Sequence, residues 1–226
     1  MPSLRLLSYN VRSMRDDRAA LGRVIRSAEP DVVCVQESPR FLRWRTLCAQ
    51  LARISNLVVV GGGRYAGSNL ILSSLAVDAV SHADVLFTAD PGLHRRGAAV
   101  AVLRYRGRQF AVAGTHLDMA AGPRLRHVGE LDAAIARHVP PGTPTIVAGD
   151  INDTPGSAAW ATLAAGRTDA FAAAEHPLTS PAKQPRKTID GVFVDPSITV
   201  TAARVLDHPD VVAASDHSPL LVELEL

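Results

Sequence analysis

Carboxylates, carboxamides and imidazoles recur at the ends of short apolar runs in this sequence. The residues are Asn10, Glu37, His116, Asp150, Asn152, Asp190, Asp216 and His217. Their oxygen atoms suit hard divalent cations such as Mg²⁺, Mn²⁺ or Ca²⁺. Carboxylates that are buried close together repel one another, and a cation would compensate that repulsion. These residues predict a site for a hard cation that has coordination positions left for water and a phosphoryl oxygen. Two imidazoles would lie beside the cation.

Other reaction chemistries find little support. The sequence contains neither a Gly-x-Ser-x-Gly nucleophile elbow nor a Gly-Lys-[Ser/Thr] phosphate loop. Zinc sites built from thiolate pairs are excluded, and we interpret Cys34 and Cys48 as buried free thiols. The glycine-rich segment 58–67 opens no clear helix, so we interpret it as a flexible loop rather than a dinucleotide site.

The strands that must position these side chains are predicted from the apolar runs. Short β-branched or Leu-rich runs are typical of buried strands, and the segment VVAASDHS brings Asp216 and His217 directly before the last of these strands. The segment 69–113 indicates an antiparallel meander with a hairpin at Gly107. Ligands of open α/β sheets bind at strand ends. We therefore expect the polar residues to converge on one rim.

Helices should cover the outer faces of the strands. Apolar residues at helical spacing predict helices over 16–28, 40–54, 124–139 and 156–165. The apolar face of the second helix includes Phe41 and Trp44, and that of the third includes Leu125 and Val128. We interpret these periodic positions as ordinary core faces.

The composition is typical of a folded domain, with 47% hydrophobic and 20% charged residues among 226. No spacer or repeat divides the chain, so we expect one domain over residues 1–226. A net charge of +2 and a pI of 8.8 permit an anionic ligand without requiring one. We see no signal peptide and no apolar run long enough to span a membrane, and we expect a cytoplasmic monomer.

Six short segments occur in the order and at the separations of a known family. They are LSYNVRSM, DVVCVQES, GTHLDM, VAGDINDTP, TIDGVFV and SDHSPL. Together they resemble the endonuclease/exonuclease/phosphatase superfamily, which includes the DNase I-like enzymes. The resemblance runs from residue 3 to the C-terminus. It implies an α+β fold, a four-layer α/β/β/α sandwich in which two mainly antiparallel or mixed sheets pack face to face with helices outside.

The resemblance also implies a metal site. Glu37 is expected to be the principal ligand of Mg²⁺, for which Mn²⁺ or Ca²⁺ could substitute, and Asn10 and Asp216 are expected to assist it. Simpler roles remain open for two of these residues. Asn10 could be a turn residue at a strand end, and Glu37 could be an acid at a helix N-terminus.

Five further residues match the catalytic motifs of the superfamily. By resemblance, Asp150 orients or deprotonates the attacking water, and Asn152 positions the phosphate. His217 contacts the scissile phosphate, Asp190 sets its tautomer, and His116 matches the second histidine of the DNase I-like branch. Structural roles remain open here too, because Asp150 and Asn152 could form an Asx-turn and His116 could be a core residue.

Basic residues near these motifs are candidate contacts for substrate phosphate. They are Arg95, Arg96, Lys183, Arg186 and Lys187, together with Arg40 and Arg43. The loop SPAKQPRKT precedes Asp190 directly, so it could overhang the site or be an ordinary solvated loop. Asp118 lies two residues beyond His116 and could merely support its loop, and we interpret His94 as a surface residue.

Three functions compete at this point. The leading hypothesis is a metal-dependent phosphodiesterase that acts on nucleic acid or a smaller phosphodiester. The second is a phosphomonoesterase or a phospholipid, sphingomyelin or inositol-phosphate hydrolase with the same fold. The third is a non-catalytic binding scaffold, against which the retention of every catalytic-type residue argues. His116 favours DNase I-like over exonuclease III-like enzymes.

Overall fold

Two six-stranded mixed sheets form the centre of the protein. The computed structural model describes residues 3–172 and 176–226. In spatial order the first sheet contains β11 (Thr199–Val205), β12 (Leu220–Glu225), β1 (Ser3–Asn10), β2 (Val32–Gln36), β4 (Asn69–Ser73) and β3 (Val58–Gly63). The second contains β5 (Val77–Leu86), β6 (Gly97–Tyr105), β7 (Arg108–His116), β8 (Thr145–Asp150), β10 (Asp190–Val194) and β9 (Thr168–Asp169).

Helices cover the outer face of each sheet. Against the first sheet lie α1 (Arg18–Ser27), α2 (Trp44–Ile54) and the short α5 (Val211–Ala214); against the second lie α3 (Ala121–His138) and α4 (Ala158–Ala164). A third apolar core fills the space between the sheets. The predicted four-layer α/β/β/α sandwich is therefore confirmed.

Small side chains let the two sheets approach. Ala99, Ala101 and Ala148 are fully buried between them. At Gly114 on β7, an added Cβ would lie 3.6 Å from the Cβ of Cys34 on β2. The close contact between central strands brings the ends of the two sheets to a common edge.

Each sheet contains one parallel pair at its centre. β1 pairs in parallel with β2, and β7 pairs in parallel with β8, whereas the remaining pairs are antiparallel. In the second sheet Asp150 lies opposite both His116 and Asp190 in the strand register. In the first sheet Asn10 lies opposite Gln36, the residue before Glu37. The carboxyl ends of the parallel pairs thus carry the polar residues.

Two helix predictions need correction. The second helix begins at Trp44, not at residue 40, because Arg43 has a left-handed backbone (φ 60°) that an α-helix cannot include. Phe41 therefore lies outside the helix and its side chain is 69% exposed. Leu125 lies in the third helix but is also exposed, so the apolar face of that helix is narrower than its sequence pattern indicates.

Two further predictions differ from the structure. The segment 58–67 is not a loop, because residues 58–63 form the edge strand β3 and the glycines fit its bulged pairing with β4. The meander is restricted to β5, β6 and β7, because the chain crosses from one sheet to the other after β4.

Other sequence expectations are confirmed. Cys34 and Cys48 are buried free thiols, and burial raises the pKa of each, to about 12 and about 11 respectively. The β6–β7 hairpin turns at Arg106 and Gly107, both with positive φ, as a tight two-residue turn requires. Within the described ranges, no helix has the length and apolar character to cross a membrane.

Candidate active site

A polar pocket of about 450 Å³ lies at the edge where the central strands of both sheets end. The residues that line it include Glu37, Arg96, His116, Asp150, Asn152, Asp216 and His217. Asn10 and Asp190 are buried and contact these residues. The structure therefore brings together nine side chains that are scattered between residues 10 and 217 of the sequence.

His217 forms an imidazole–carboxylate pair with Asp190. Its Nδ1 lies 2.9 Å and 3.2 Å from the two carboxylate oxygens of Asp190, so Nδ1–H is the donor and Nε2 faces the pocket. Nε2 lies 3.8 Å from Oδ2 of Asp150. Burial acts to lower the pKa of His217, but the charge and hydrogen bond of Asp190, with the charges of Asp150 and Asp216, raise it to about 10.

The loop before β12 holds this histidine. The hydroxyl of Ser215 donates to the backbone carbonyl of Asn10 at 2.7 Å, and the same oxygen accepts from the backbone N–H of His217 at 3.4 Å. The backbone N–H of Ser218 donates to the carbonyl of Thr179 at 2.8 Å. Hydrogen bonds at both ends of the Ser-Asp-His-Ser sequence thus hold the backbone segment that carries the imidazole.

Asp150 lies at the centre of the cluster and is fully buried. Its Oδ2 accepts from Nδ2 of Asn10 at 3.1 Å and lies 3.3 Å from Nε2 of His116. Its Oδ1 accepts from the backbone N–H of Asn152 at 3.0 Å, so the residue also forms the Asx-turn that the sequence left open. Burial, and then the charge of Asp190, raise the pKa of Asp150 to about 7. Such a carboxyl can exchange a proton near neutral pH.

His116 and Asn152 form a second pair beside Asp150. The amide nitrogen of Asn152 lies 2.9 Å from the carbonyl of Leu117 and 2.9 Å from Nε2 of His116. Because that nitrogen is a donor, Nε2 of His116 is an acceptor and the ring is neutral in this arrangement. Burial, followed by the charges of Arg96 and His217, lowers the pKa of His116 well below its ordinary value, which agrees with a neutral ring.

Asn10 links the two sheets across the pocket. Its amide nitrogen donates to Glu37 at 3.3 Å as well as to Asp150, and its Oδ1 accepts from the backbone N–H of Arg12 at 3.0 Å. Asp216 lies on the same side as Arg12, whose Nε is 3.2 Å from its Oδ2. The carboxylates of Glu37 and Asp216 both face the pocket.

The sequence matches the endonuclease/exonuclease/phosphatase family over residues 7–217. The chain belongs to this family. Its members are hydrolases that act on phosphate esters. No curated protein sequence matches the chain.

Solved structures of other proteins share this fold. An endonuclease/exonuclease/phosphatase from Bacteroides vulgatus has 21% identity and a TM-score of 0.82, with all of both chains covered. A mannosyl-6-phosphatase from Bacteroides thetaiotaomicron has 17% identity and a TM-score of 0.83, covering 99% of this chain and 100% of its own. TDP2 from D. rerio, complexed with single-strand DNA product, has 18% identity and a TM-score of 0.74, with both chains fully covered. Because these sequence identities are low, the comparison shows only that the proteins share a fold.

The donors of this family member fit a hard cation. Glu37 and Asp216 offer carboxylate oxygens, and Asn10 retains a free lone pair on Oδ1. Asn10 donates to both Glu37 and Asp150, so these two carboxyl groups lie near each other, and a cation would balance their negative charge. Asp150, Asp190 and His217 also lie close enough to share an ion, with ligand atoms within 4.8 Å. However, the hydrogen bond between His217 and Asp190 already uses two of these three groups.

The basic residues predicted to contact phosphate divide into three groups. Arg96 lines the pocket, and its Nε lies 3.8 Å from Asp118 without a hydrogen-bond acceptor. Burial lowers the pKa of Arg96, and the charges of Asp150, Asp118 and Glu37 oppose that effect. Arg95 is exposed and lines a neighbouring groove instead.

The three basic residues of the SPAKQPRKT loop lie elsewhere. Lys183, Arg186 and Lys187 are exposed, and the residues described as lining the pocket do not include them. Backbone hydrogen bonds between Ser180 and residues 186 and 187 close the loop on itself. The loop therefore braces the Asp216 segment, through the N–H of Ala182 that donates to the carbonyl of Asp216 at 2.7 Å, but it does not cover the pocket.

Four residues that line the pocket have a left-handed backbone although none is glycine. Their φ values are 57° at Ser13, 50° at Glu37, 72° at Ser68 and 53° at Asn152. Such conformations are costly for residues with a Cβ and concentrate at functional sites. Here they turn the chain sharply at the strand ends, which directs the side chains of Glu37 and Asn152 into the pocket.

Sequence reasoning missed several neighbours of the site. Arg12 and Ser13 belong to the segment LSYNVRSM, but no sequence signal gave them or Ser68 a role, and only the structure places them at the pocket. His94 is exposed, as the sequence indicated, and it also lines the pocket, where its Nδ1 lies 3.4 Å from Nη2 of Arg40. The two arginines that follow His94 in the HRRG sequence are the feature from which its place near the site could have been predicted.

Proposed function

We propose that this protein is a divalent-metal-dependent phosphodiesterase. The observation that carries the proposal is the position of His217 Nε2, which is 3.8 Å from Asp150 and is backed by Asp190 in the pocket that contains Glu37. A charged imidazole thus lies beside a carboxyl that can accept a proton, at the wall of a pocket large enough for a phosphoryl group. Family membership supports hydrolysis of a phosphate ester, and the carboxylates of Glu37 and Asp216, which both line this pocket, support the metal dependence.

The proposed reaction is an in-line attack of water on phosphorus. Asp150 accepts the proton of the water as the new P–O bond forms, and the P–O bond to the leaving alcohol breaks. His217 donates a hydrogen bond to a phosphoryl oxygen next to the attacking water, while Asp190 holds its tautomer, and the leaving oxygen takes its proton from solvent water. Asn152 would orient a phosphoryl oxygen by giving it the amide hydrogen that it otherwise gives to Nε2 of His116, and His116 supports Asn152 in this position. A cation held by Glu37, Asn10 and Asp216 would supply electrostatic stabilisation of the developing charge.

A phosphomonoester is the second candidate substrate. Arg96 favours it, because its buried guanidinium has an Nε without an acceptor and could neutralise the second charge of a terminal phosphate. The mannosyl-6-phosphatase relative is consistent with such a reaction in the same fold.

The proposal can be tested with two chromogenic esters. Protein that has been stripped with EDTA is supplied with Mg²⁺, Mn²⁺ or Ca²⁺, and release of nitrophenol from bis(p-nitrophenyl) phosphate and p-nitrophenyl phosphate is measured. We expect the metal-free protein to be inactive and Mg²⁺ or Mn²⁺ to restore hydrolysis, with a higher kcat/KM for the diester. Hydrolysis of the monoester alone would support the second candidate. A protein that hydrolyses neither ester with any of the three metals would contradict both.

A further inference from the structure

A second groove of about 500 Å³ opens directly from the active-site pocket. The two share the residues Arg40, Phe41, Gly67, Ser68 and His94 along their common wall. Arg40 marks the boundary, since its charge lowers the pKa of both His116 and Arg96 on one side while its side chain lines the groove on the other. A molecule bound at the pocket can therefore extend into the groove without leaving the surface.

The groove is strongly basic. Arg40, Arg64 and Arg95 all line it, and among the groove-lining residues that the structure describes there is no carboxylate. Eight other arginines of the described ranges form ion pairs, whereas these three form none. A cluster of guanidinium groups without acidic partners attracts an anion, and phosphate suits their planar donors.

The walls of the groove are aromatic and apolar. Phe41 and Tyr65 are exposed, at 69% and 53%, and Leu93 is 42% exposed. Tyr65 is held by an edge-to-face contact with Trp44, whose ring centroid is 6.0 Å away, and Arg40 lies over the ring of Phe41 at 5.1 Å. Exposed aromatic residues beside unpaired arginines provide stacking and charge together.

We infer that this groove binds a nucleotide unit of the substrate, with an aromatic base against its apolar walls and a second phosphate against Arg64 and Arg95. The inference rests on the proposed function, because it assumes that the scissile phosphate occupies the adjoining pocket. An alkyl chain would use the apolar walls but would leave the guanidinium groups without a partner. A substrate that carries both a ring and a further phosphate uses both features of the groove.

Three p-nitrophenyl esters test the inference. They are thymidine 5′-(p-nitrophenyl phosphate), the same compound with a 3′-phosphate, and octyl p-nitrophenyl phosphate. We expect kcat/KM to be at least about tenfold higher for the 3′-phosphorylated nucleotide than for the other two, since charge-assisted contacts are worth this much. The double variant Arg64→Gln/Arg95→Gln should lose that preference. The matched variant Arg106→Gln/Arg108→Gln, which removes two exposed arginines at the β6–β7 hairpin, should retain it.

A binding measurement separates this inference from the proposed function. Thymidine 3′,5′-bisphosphate is titrated into the protein in EDTA by calorimetry, and we expect its Kd to rise at least about tenfold in Arg64→Gln/Arg95→Gln. If the double variant binds the bisphosphate more weakly while the wild-type protein hydrolyses no ester, the proposed function fails and the groove assignment stands. Equal binding by the wild type and the double variant overturns the groove assignment. A wild-type preference for the octyl ester, or a nucleotide preference that survives in the double variant, overturns it as well.

Discussion

The hydrogen bond between His217 and Asp190 decides which imidazole nitrogen faces the pocket. It also helps to keep the ring protonated: burial acts to lower the pKa of His217, but the charge and hydrogen bond of Asp190, together with the charges of Asp150 and Asp216, raise it to about 10. The aspartate and histidine of the SDH segment could be predicted from the sequence, as could Asp190 from its match to the family. The contact of Asp216 with Arg12 could not, since it depends on the left-handed turn at residues 12–14.

The first prediction concerns the proton on His217. In the folded protein its pKa of about 10 lies above the ordinary 6.5, so removing the charge of Asp190 must lower it. We expect Asp190→Asn to move the titration of His217 to lower pH, measured by ¹⁵N NMR of the metal-free protein. The wild-type protein, titrated under the same conditions, is the reference. An unchanged titration of His217 in the variant would show that Asp190 does not control its proton.

At the scale of elements, the carboxyl ends of two parallel strand pairs position most of the site. The apolar runs made these strand ends predictable, because each run stops at a polar residue. The start of α2 was not predictable, since the pattern of apolar residues continues through Phe41 while the backbone turns at Arg43. β12 is an interior strand between β11 and β1, so it fixes the segment that carries His217.

The third helix of the fold also supports the site, through Arg124. Its guanidinium donates to the carbonyls of Asp118 and Met119, at 3.1 Å and 2.7 Å, and pairs with Asp153 at 2.8 Å. It thus ties together the loops that follow His116 and Asn152.

We predict that Arg124→Met lowers kcat for bis(p-nitrophenyl) phosphate about tenfold with little change in KM, because small displacements of catalytic groups are costly. Partial recovery is expected for Arg124→Lys, which restores the charge. Arg126→Met is the matched control on the exposed side of the same helix. If Arg124→Met and Arg126→Met have the same kcat, the positioning role is wrong.

At the scale of the whole molecule, the site exists only when the two sheets pack together. Asn10 and Asp150 are 140 positions apart in the sequence, yet they form a direct hydrogen bond. Apolar periodicity identifies the strands and helices but carries no information on which strand ends meet. That the polar residues converge on one rim could be expected only because ligands of α/β sheets bind at strand ends, and from the family resemblance. The second groove could not be predicted from a sequence motif, because its three arginines come from three separate loops.

Metal binding should be visible in the stability of the whole fold. A ligand that binds only the folded state raises Tm, and we expect millimolar Mg²⁺ or Mn²⁺ to raise it by about 2–4 °C. Glu37→Gln should abolish that increase, whereas Asp207→Asn, at an exposed position outside the pocket, should retain it. Differential scanning fluorimetry in EDTA and in metal makes the comparison. An equal rise in Tm in Glu37→Gln would exclude Glu37 as the principal ligand.

The central claim is that Asp150, at the end of β8, and His217, before β12, act as one catalytic unit built from both sheets. A double-mutant cycle on the metal-dependent kcat/KM for bis(p-nitrophenyl) phosphate tests it most directly. We predict that Asp150→Asn and His217→Ala each lower kcat/KM by about 10²-fold or more, and that the double variant is little worse than either, because groups that act in one step are not additive. Multiplicative losses, or single variants close to wild type, would contradict the claim.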